Sequence, residues 1–232
     1  MKPALTLGVL GISPAATLGF LEKVHAFTPG AAERDQIRVI VDINPKLPDL
    51  ATPGSGAGAA LAEAAGALRG AGADVLAIAS DAAHAHLALI ERASGLAVVD
   101  MIGTTAKALR EAGAVRVGVL GPRGAVRLYR EYLAAQAMGL VALEPERQQG
   151  FAAALEAVRD GDSSPQRRAE LRAYANELAI HGAEAIVAGA VELPDLLEPA
   201  GLKAPLIDPA ELLAGRCVAV CLGLEPAPTI LR

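Results

Sequence analysis

Short runs of Leu, Ile, Val and Ala punctuate the chain without alternating apolar and polar positions: "LGVLG" (Leu7–Gly11), "IRVIVDIN" (Ile37–Asn44), "VLAIAS" (Val75–Ser80), "VGVLG" (Val117–Gly121) and "AIVAGA" (Ala185–Ala190). A strand with one solvated face would alternate, so these runs predict strands buried on both faces of a parallel sheet. Between them apolar residues recur at helical spacing, which predicts helices over Ala15–Phe27, Ala57–Ala71, Ala125–Ala137, Gly150–Asp160, Gln166–His181 and Ala210–Leu222. "ATPGSGAG" (Ala51–Gly58) reads as a flexible loop.

The pattern repeats. "LGVLG" returns as "VGVLG", and "GADVLAIAS" (Gly72–Ser80) as "GAEAIVAGA" (Gly182–Ala190), at an offset of about 110 residues. The preceding helix answers too, with Leu61, Ala65 and Leu68 matched by Leu171, Ala175 and Leu178, and "AVVD" (Ala97–Asp100) is matched by "PLID" (Pro205–Asp208). One such match means little in an Ala-rich chain, but all of them fall in order. The prediction is an α/β fold of two pseudo-twofold-related lobes, each a parallel sheet flanked by helices. The first lobe takes residues 1–102 plus 209–232, the last helix returning to it, and the second takes residues 103–208. Ligands of open parallel sheets gather outside the carboxyl ends of the strands. The expected site is therefore the interlobe cleft, with Ser80–Asp81 on one side and Ala190–Glu192 on the other.

Composition narrows the partners. A net charge of −5 disfavours nucleic-acid and anionic-membrane binding. Hydrophobic residues make up 53% and aromatics only 3%, so the core is aliphatic. The uncharged run from Pro3 to Leu21 is broken by Gly8, Gly11, Ser13 and Pro14, unlike a signal peptide or membrane span, which points to a cytoplasmic protein. The two cysteines, Cys217 and Cys221, lie four apart in a helical pattern and read as small core residues. The glycine pairs 8/11 and 118/121 lack the G-x-G-x-x-G order, so no dinucleotide is implied. His84 and His86 face different ways on a helix with no third ligand near, so no metal is expected.

"GVLGISPAAT", "VIVDINPKLPD", "IASDAAH", "VRDG" and "AGAVELP" together make the chain resemble the aspartate/glutamate racemase family, in particular its aspartate racemase branch, nearly end to end. That resemblance implies a cofactor-independent homodimer that binds a small carboxylate or amino acid, and a mechanism in which two thiols trade protons at the substrate Cα. A thiol suits the task because its pKa, about 8.5 when free, can be lowered into working range. Here Ser80 stands at the first thiol position and Ala190 at the second. A hydroxyl is a far weaker acid, comparable with water at roughly 15.7, and a methyl has no proton to trade. The two-thiol reaction is excluded.

Other positions depart as well. Leu50 replaces an arginine of the family pattern, the second lobe's hydroxyl-rich turn has become "GPRGA" with Arg123 in it, and the opening loop is one residue short. Asn44, His84, Glu192 and Arg159 (at a lysine position) remain, and with Ser13 and Arg123 they complete the candidate binding set. Asp81 and Glu192 are the candidate general base and acid. Asp81 is otherwise read as a helix cap, and Glu192 as a structural hydrogen-bonding group. Ser80 is a candidate nucleophile, a hydrogen-bonding site residue or a turn residue. Arg123 and Arg159 are candidates to grip a carboxylate bidentately, or else solvated surface arginines. Two functions remain open: a non-thiol isomerase, lyase or decarboxylase acting on a small carboxylate, or a catalytically silent homologue that binds a small acid or a partner protein.

Overall fold

The computed structural model describes residues 4–30, 36–50, 52 and 54–230. Pro3 of the uncharged run, and Ala51 and Pro53 of the expected loop, lie outside the described residues. Two compact units are present, residues 1–104 with 210–232, and residues 105–209.

In the first unit, strands β1 (Leu7–Gly11), β2 (Val39–Ile43), β3 (Val75–Ile78) and β4 (Val98–Val99) form a parallel sheet in the order β2-β1-β3-β4. Helix α1 (Pro14–Phe27) follows β1, α2 (Ala57–Gly70) precedes β3, and α3 (Leu87–Ser94) follows a 3-10 turn at Ala82–His86. Helix α4 (Met101–Glu111) runs from the first unit into the second. The absence of alternation now has its reason. Leu7, Val9, Val75 and Ala77 pack with Phe20 and Val24 of α1 and with Leu213, Cys217 and Val218 of the last helix. Leu10, Leu76 and Ile78 point the other way, against Leu61 and Leu68 of α2 and Ile90 of α3. Each such side chain taken from water contributes about 1.5–3 kcal/mol, and on β1 and β3 no position on either face is left over for a polar residue.

The second unit repeats the plan with β5 (Arg116–Leu120), β6 (Gly139–Val141), β7 (Ala185–Ala188) and β8 (Leu206–Ile207) in the parallel order β6-β5-β7-β8. Its helices are α5 (Arg123–Ala135), α6 (Pro145–Arg159), α7 (Pro165–Ile180) and the short α8 (Leu193–Leu196). Even the register repeats, with Leu7 paired to Val75 and Val117 to Ala185. Helix α9 (Pro209–Cys221) belongs to the first unit, where the amide of Leu5 donates to the carbonyl of Cys221. Both cysteines are buried in that core, and burial pushes the Cys221 thiol up to about 11 and the Cys217 thiol well above the ordinary range.

The "GAD" and "GAE" motifs explain why the repeat survives. Gly72 and Gly182 end α2 and α7 at φ +98° and +93°, a left-handed turn that costs glycine nothing. The next acidic residue then grips a neighbouring strand: Asp74 accepts from the Thr6 amide at 2.8 Å, and Glu184 from the amides of Val115 and Arg116. Those two donors hold the Glu184 carboxyl below the ordinary range.

Helices α3, α4 and α8 lie outside the helical spans predicted from the sequence, and two further elements differ from expectation. Strand β6 was not anticipated, because "GLV" is three residues at a sheet edge with a glycine in it. Helix α6 starts at Pro145 rather than Gly150. Its polar first turn lacks apolar periodicity, and it is started by proline at the first helical position. That turn is held from outside the helix: Arg147 pairs with Glu177 at 2.7 Å and lies 4.4 Å over the Tyr174 ring, which meets Phe151 edge-on.

Two glycines test the packing with opposite signs. A Cβ on Gly121 would come within 2.5 Å of the Gly189 carbonyl oxygen, so Gly121→Ala is expected to destabilise by about 1–3 kcal/mol. A Cβ on Gly66, inside α2, meets nothing, and Gly66→Ala is expected to stabilise by about 0.5–1 kcal/mol. Urea denaturation of the two variants checks both signs.

Candidate functional site

The carboxyl ends of the strands carry the polar residues in each lobe. In the first lobe, β1 ends at Gly11, whose carbonyl accepts from the Asn44 amide at 3.1 Å, bringing the ends of β1 and β2 together. Asn44 Oδ1 accepts from the Lys46 amide at 3.0 Å, which shapes its own turn. Ser13 is the N-cap of α1: its Oγ accepts from the Ala16 amide, and its carbonyl accepts from Thr17 Oγ1 at 2.7 Å.

Strand β3 runs into Ser80 and Asp81, both half-buried. Asp81 opens the 3-10 turn with helical backbone angles, and its side chain makes no capping bond to that turn. His84 holds this corner. It is 5% exposed, its Nδ1 is 2.8 Å from the Ser80 carbonyl, and its Nε2 accepts from the Met101 amide at 3.0 Å. The amide can only donate, so Nε2 is the bare nitrogen and Nδ1 carries the proton to Ser80. Both ring nitrogens are thus committed to backbone, and the imidazole ties the end of β3 to the start of α4. Asp100 completes the link by capping α4, accepting from the amides of Ile102 and Gly103 at 2.9 and 3.1 Å. Burial lowers the His84 pKa, opposed by Asp100 and the Ser80 carbonyl.

In the second lobe, β5 ends at Gly121 against Gly189, whose amide donates to Leu120 at 2.8 Å. The Gly121 carbonyl accepts from Gln148 Nε2 at 2.9 Å. Gln148 was not singled out in the sequence, because one polar residue in a polar first turn gives no sign of burial. Ala190, after β7, is buried, and its methyl belongs to the apolar core with Leu193 and Leu196. Two residues on, Glu192 is 22% exposed, and its Oε1 accepts from Arg159 Nε at 2.9 Å. Its Oε2 is buried and has no hydrogen-bond partner among the described residues. Arg159 lies at the last turn of α6 and also donates to Glu156 at 2.7 Å. Burial works against its charge, yet the hydrogen bond and charge of Glu192, then Glu156, hold its pKa above the ordinary value.

Arg123 has different neighbours. It is the first residue of α5 and lines a cavity of about 260 Å³ with Gln148, in a lining that does not include Arg159. Arg159 is thus paired with Glu192, and the two arginines do not share this cavity's lining. Among the described residues no group of three or more His, Cys, Asp and Glu can hold a metal ion, and no helix is long and apolar enough to cross a membrane.

The sequence profile of the family described as Asp/Glu/Hydantoin racemase matches residues 9–217. Among solved structures, a putative Asp/Glu racemase from Yersinia pestis is similar with a TM-score of 0.85 at 21% identity, covering 94% of this chain and 99% of its own. Glutamate racemase from Francisella tularensis subsp. tularensis SCHU S4, in complex with D-glutamate, is similar at 0.71 and 14% identity over 97% of this chain and 84% of its own. A mutant of arylmalonate decarboxylase in its sulfate ion associated form reaches 0.58 at 16% identity over 98% of each chain. At these identities the likeness is one of fold.

The His84 geometry makes a pH prediction. Its folded pKa lies below the unfolded value of about 6.5, so its contribution to stability is complete above that pH. It is lost as pH falls toward the lowered folded value, at up to about 1.4 kcal/mol per pH unit. The stability difference between the parent and His84→Gln, measured by urea denaturation from pH 8 to 5, should narrow as the pH falls.

Proposed function

Because the chain belongs to the Asp/Glu/Hydantoin racemase family yet has Ser80 and Ala190 where the resemblance places thiols, we propose that it acts on a small carboxylate or amino acid through carboxylate acid–base chemistry. The observation that carries this reading is Glu192. One of its oxygens is fixed by Arg159, while the other is buried and unpartnered. An unmet buried acceptor costs about 1–3 kcal/mol, more if charged, and a substrate proton or N–H would satisfy it. Arg159 serves as the positioning residue. In the first lobe Asp81 is the second proton-transfer group. Ser80 and the side-chain Nδ2 of Asn44 offer hydrogen bonds to a ligand, and the Ser13 side chain completes the binding set, while Arg123 lines a cavity of its own. His84 acts through the Ser80 carbonyl rather than on substrate.

The reaction classes this supports are proton transfer or carbon–carbon cleavage next to a carboxylate, that is isomerase, lyase or decarboxylase chemistry. The D-glutamate complex of one structural neighbour, a glutamate racemase, and the identity of another as an arylmalonate decarboxylase are in keeping with a small acid as ligand. The same reading extends to a cytoplasmic, cofactor-independent homodimer. A second reading has its own observation: the Ala190 methyl is packed in the core and offers no reacting group. On that reading the protein binds a small acid, or a partner protein, without turning anything over.

Aspartate and glutamate incubated in D₂O should gain no Cα deuterium above a control lacking the protein, and exchange at an enzyme-like rate would overturn the expectation that these two amino acids are not racemised. A thermal-shift panel of small mono- and dicarboxylates, each hit then assayed for turnover, separates the two readings. A stabilising acid that is converted supports catalysis, and in that case Glu192→Gln and Asp81→Asn should each lower turnover by roughly 100-fold or more. A stabilising acid that is left unchanged supports the silent binder.

A further inference from the structure

We propose that the second lobe holds a separate site for a small phosphorylated ligand carrying at least two negative charges, in the cavity between α5 and the segment that joins β6 to α6. The cavity measures about 260 Å³, and its lining includes Arg123, Arg127 and Arg130 with Val126, Leu143 and Gln148. The three arginines stand at helical spacing on α5 and so share one face. All three are exposed, and among the described residues none has an ion-pair or hydrogen-bond partner. Glu144 and Glu146 flank the cavity's Pro145, but neither is paired with them.

This arrangement is electrostatically unfavourable when empty. Like charges four apart on a helix repel. Arg123, moreover, sits at the positive end of the helix dipole, where α5 has no acidic residue in its first turn and no side-chain cap at Pro122. A polyanion among the guanidinium groups reverses both effects, because each planar fork can donate two parallel hydrogen bonds to phosphate oxygens. The floor is different in kind. Val126 and Leu143 are nearly buried there, 9% and 7% exposed, which suits the apolar flank of a ligand. Gln148 is 7% exposed, with Nε2 committed to Gly121 and with Oε1 unpartnered among the described residues, so it can accept from a ligand hydroxyl. The chemistry is that of a phosphorylated, hydroxyl-bearing small molecule. The inference does not rest on the Glu192 reading, since neither Glu192 nor Arg159 lines this cavity.

Pyrophosphate, with citrate as a carboxylate polyanion of comparable charge, is the probe, titrated calorimetrically into the intact protein at low and at physiological ionic strength. Pyrophosphate should bind saturably with one site per chain, and the methyl resonances of Val126 and Leu143 should shift during the titration. Arg127→Ala with Arg130→Ala should weaken binding at least 10-fold, and the single changes Arg127→Gln and Arg130→Gln about 3-fold each. Glu192→Gln should leave binding unchanged, which separates failure here from failure of the proposed function. No saturable binding at millimolar pyrophosphate, full affinity in the arginine variants, unmoved Val126 and Leu143 methyls, or citrate binding as tightly as pyrophosphate would each overturn the proposal.

Discussion

Parallel strands covered on both faces confine polar chemistry to their ends. Every side chain of β1, β3 and β7 is buried, so a charge at any of those positions would be desolvated without a partner. The residues that can meet a ligand are therefore those just past the carboxyl ends, where the ladder stops and the backbone turns into a helix. Ser80, Asp81, Glu192 and Arg123 all occupy such positions, after β3, β7 and β5.

What holds those ends in place is mostly backbone hydrogen bonding by buried side chains. His84 spans from the Ser80 carbonyl to the Met101 amide, and Gln148 reaches the Gly121 carbonyl. Neither touches its target through a charge. A neutral imidazole and a neutral amide are the groups that can do this inside an apolar core without a large desolvation cost. The same economy explains why His84 resists protonation. A second N–H would face the Met101 amide, which has only a proton to offer.

The second lobe separates two kinds of arginine. Arg159 is balanced by carboxylates on both sides, so its charge organises Glu192 rather than awaiting a ligand. Arg123 has no such balance and shares a helix face with two more cations beside an open cavity. The distinction between a structural ion pair and an uncompensated cluster rests on tertiary neighbours, since residue type is common to both arginines.

The sequence by itself determined the fold class, because hydrophobic periodicity and capping glycines act locally. Unalternating runs mean two covered faces, and "GAD" and "GAE" mark a helix end followed by a buried strand. It also shows that neither Ser80 nor Ala190 carries a thiol. Tertiary structure decided the partnerships. A helical periodicity cannot show that the His84 ring is closed off at both nitrogens, that the Ala190 methyl joins the core, or that Arg159 pairs with Glu192 while Arg123 lines a cavity. It could not show β6 or the first turn of α6 either, since their residues carry little apolar signal and are held by an edge ladder and by Tyr174 and Glu177. Those contacts join residues far apart in the chain, and their energies depend on burial and geometry that exist only once the lobe has packed.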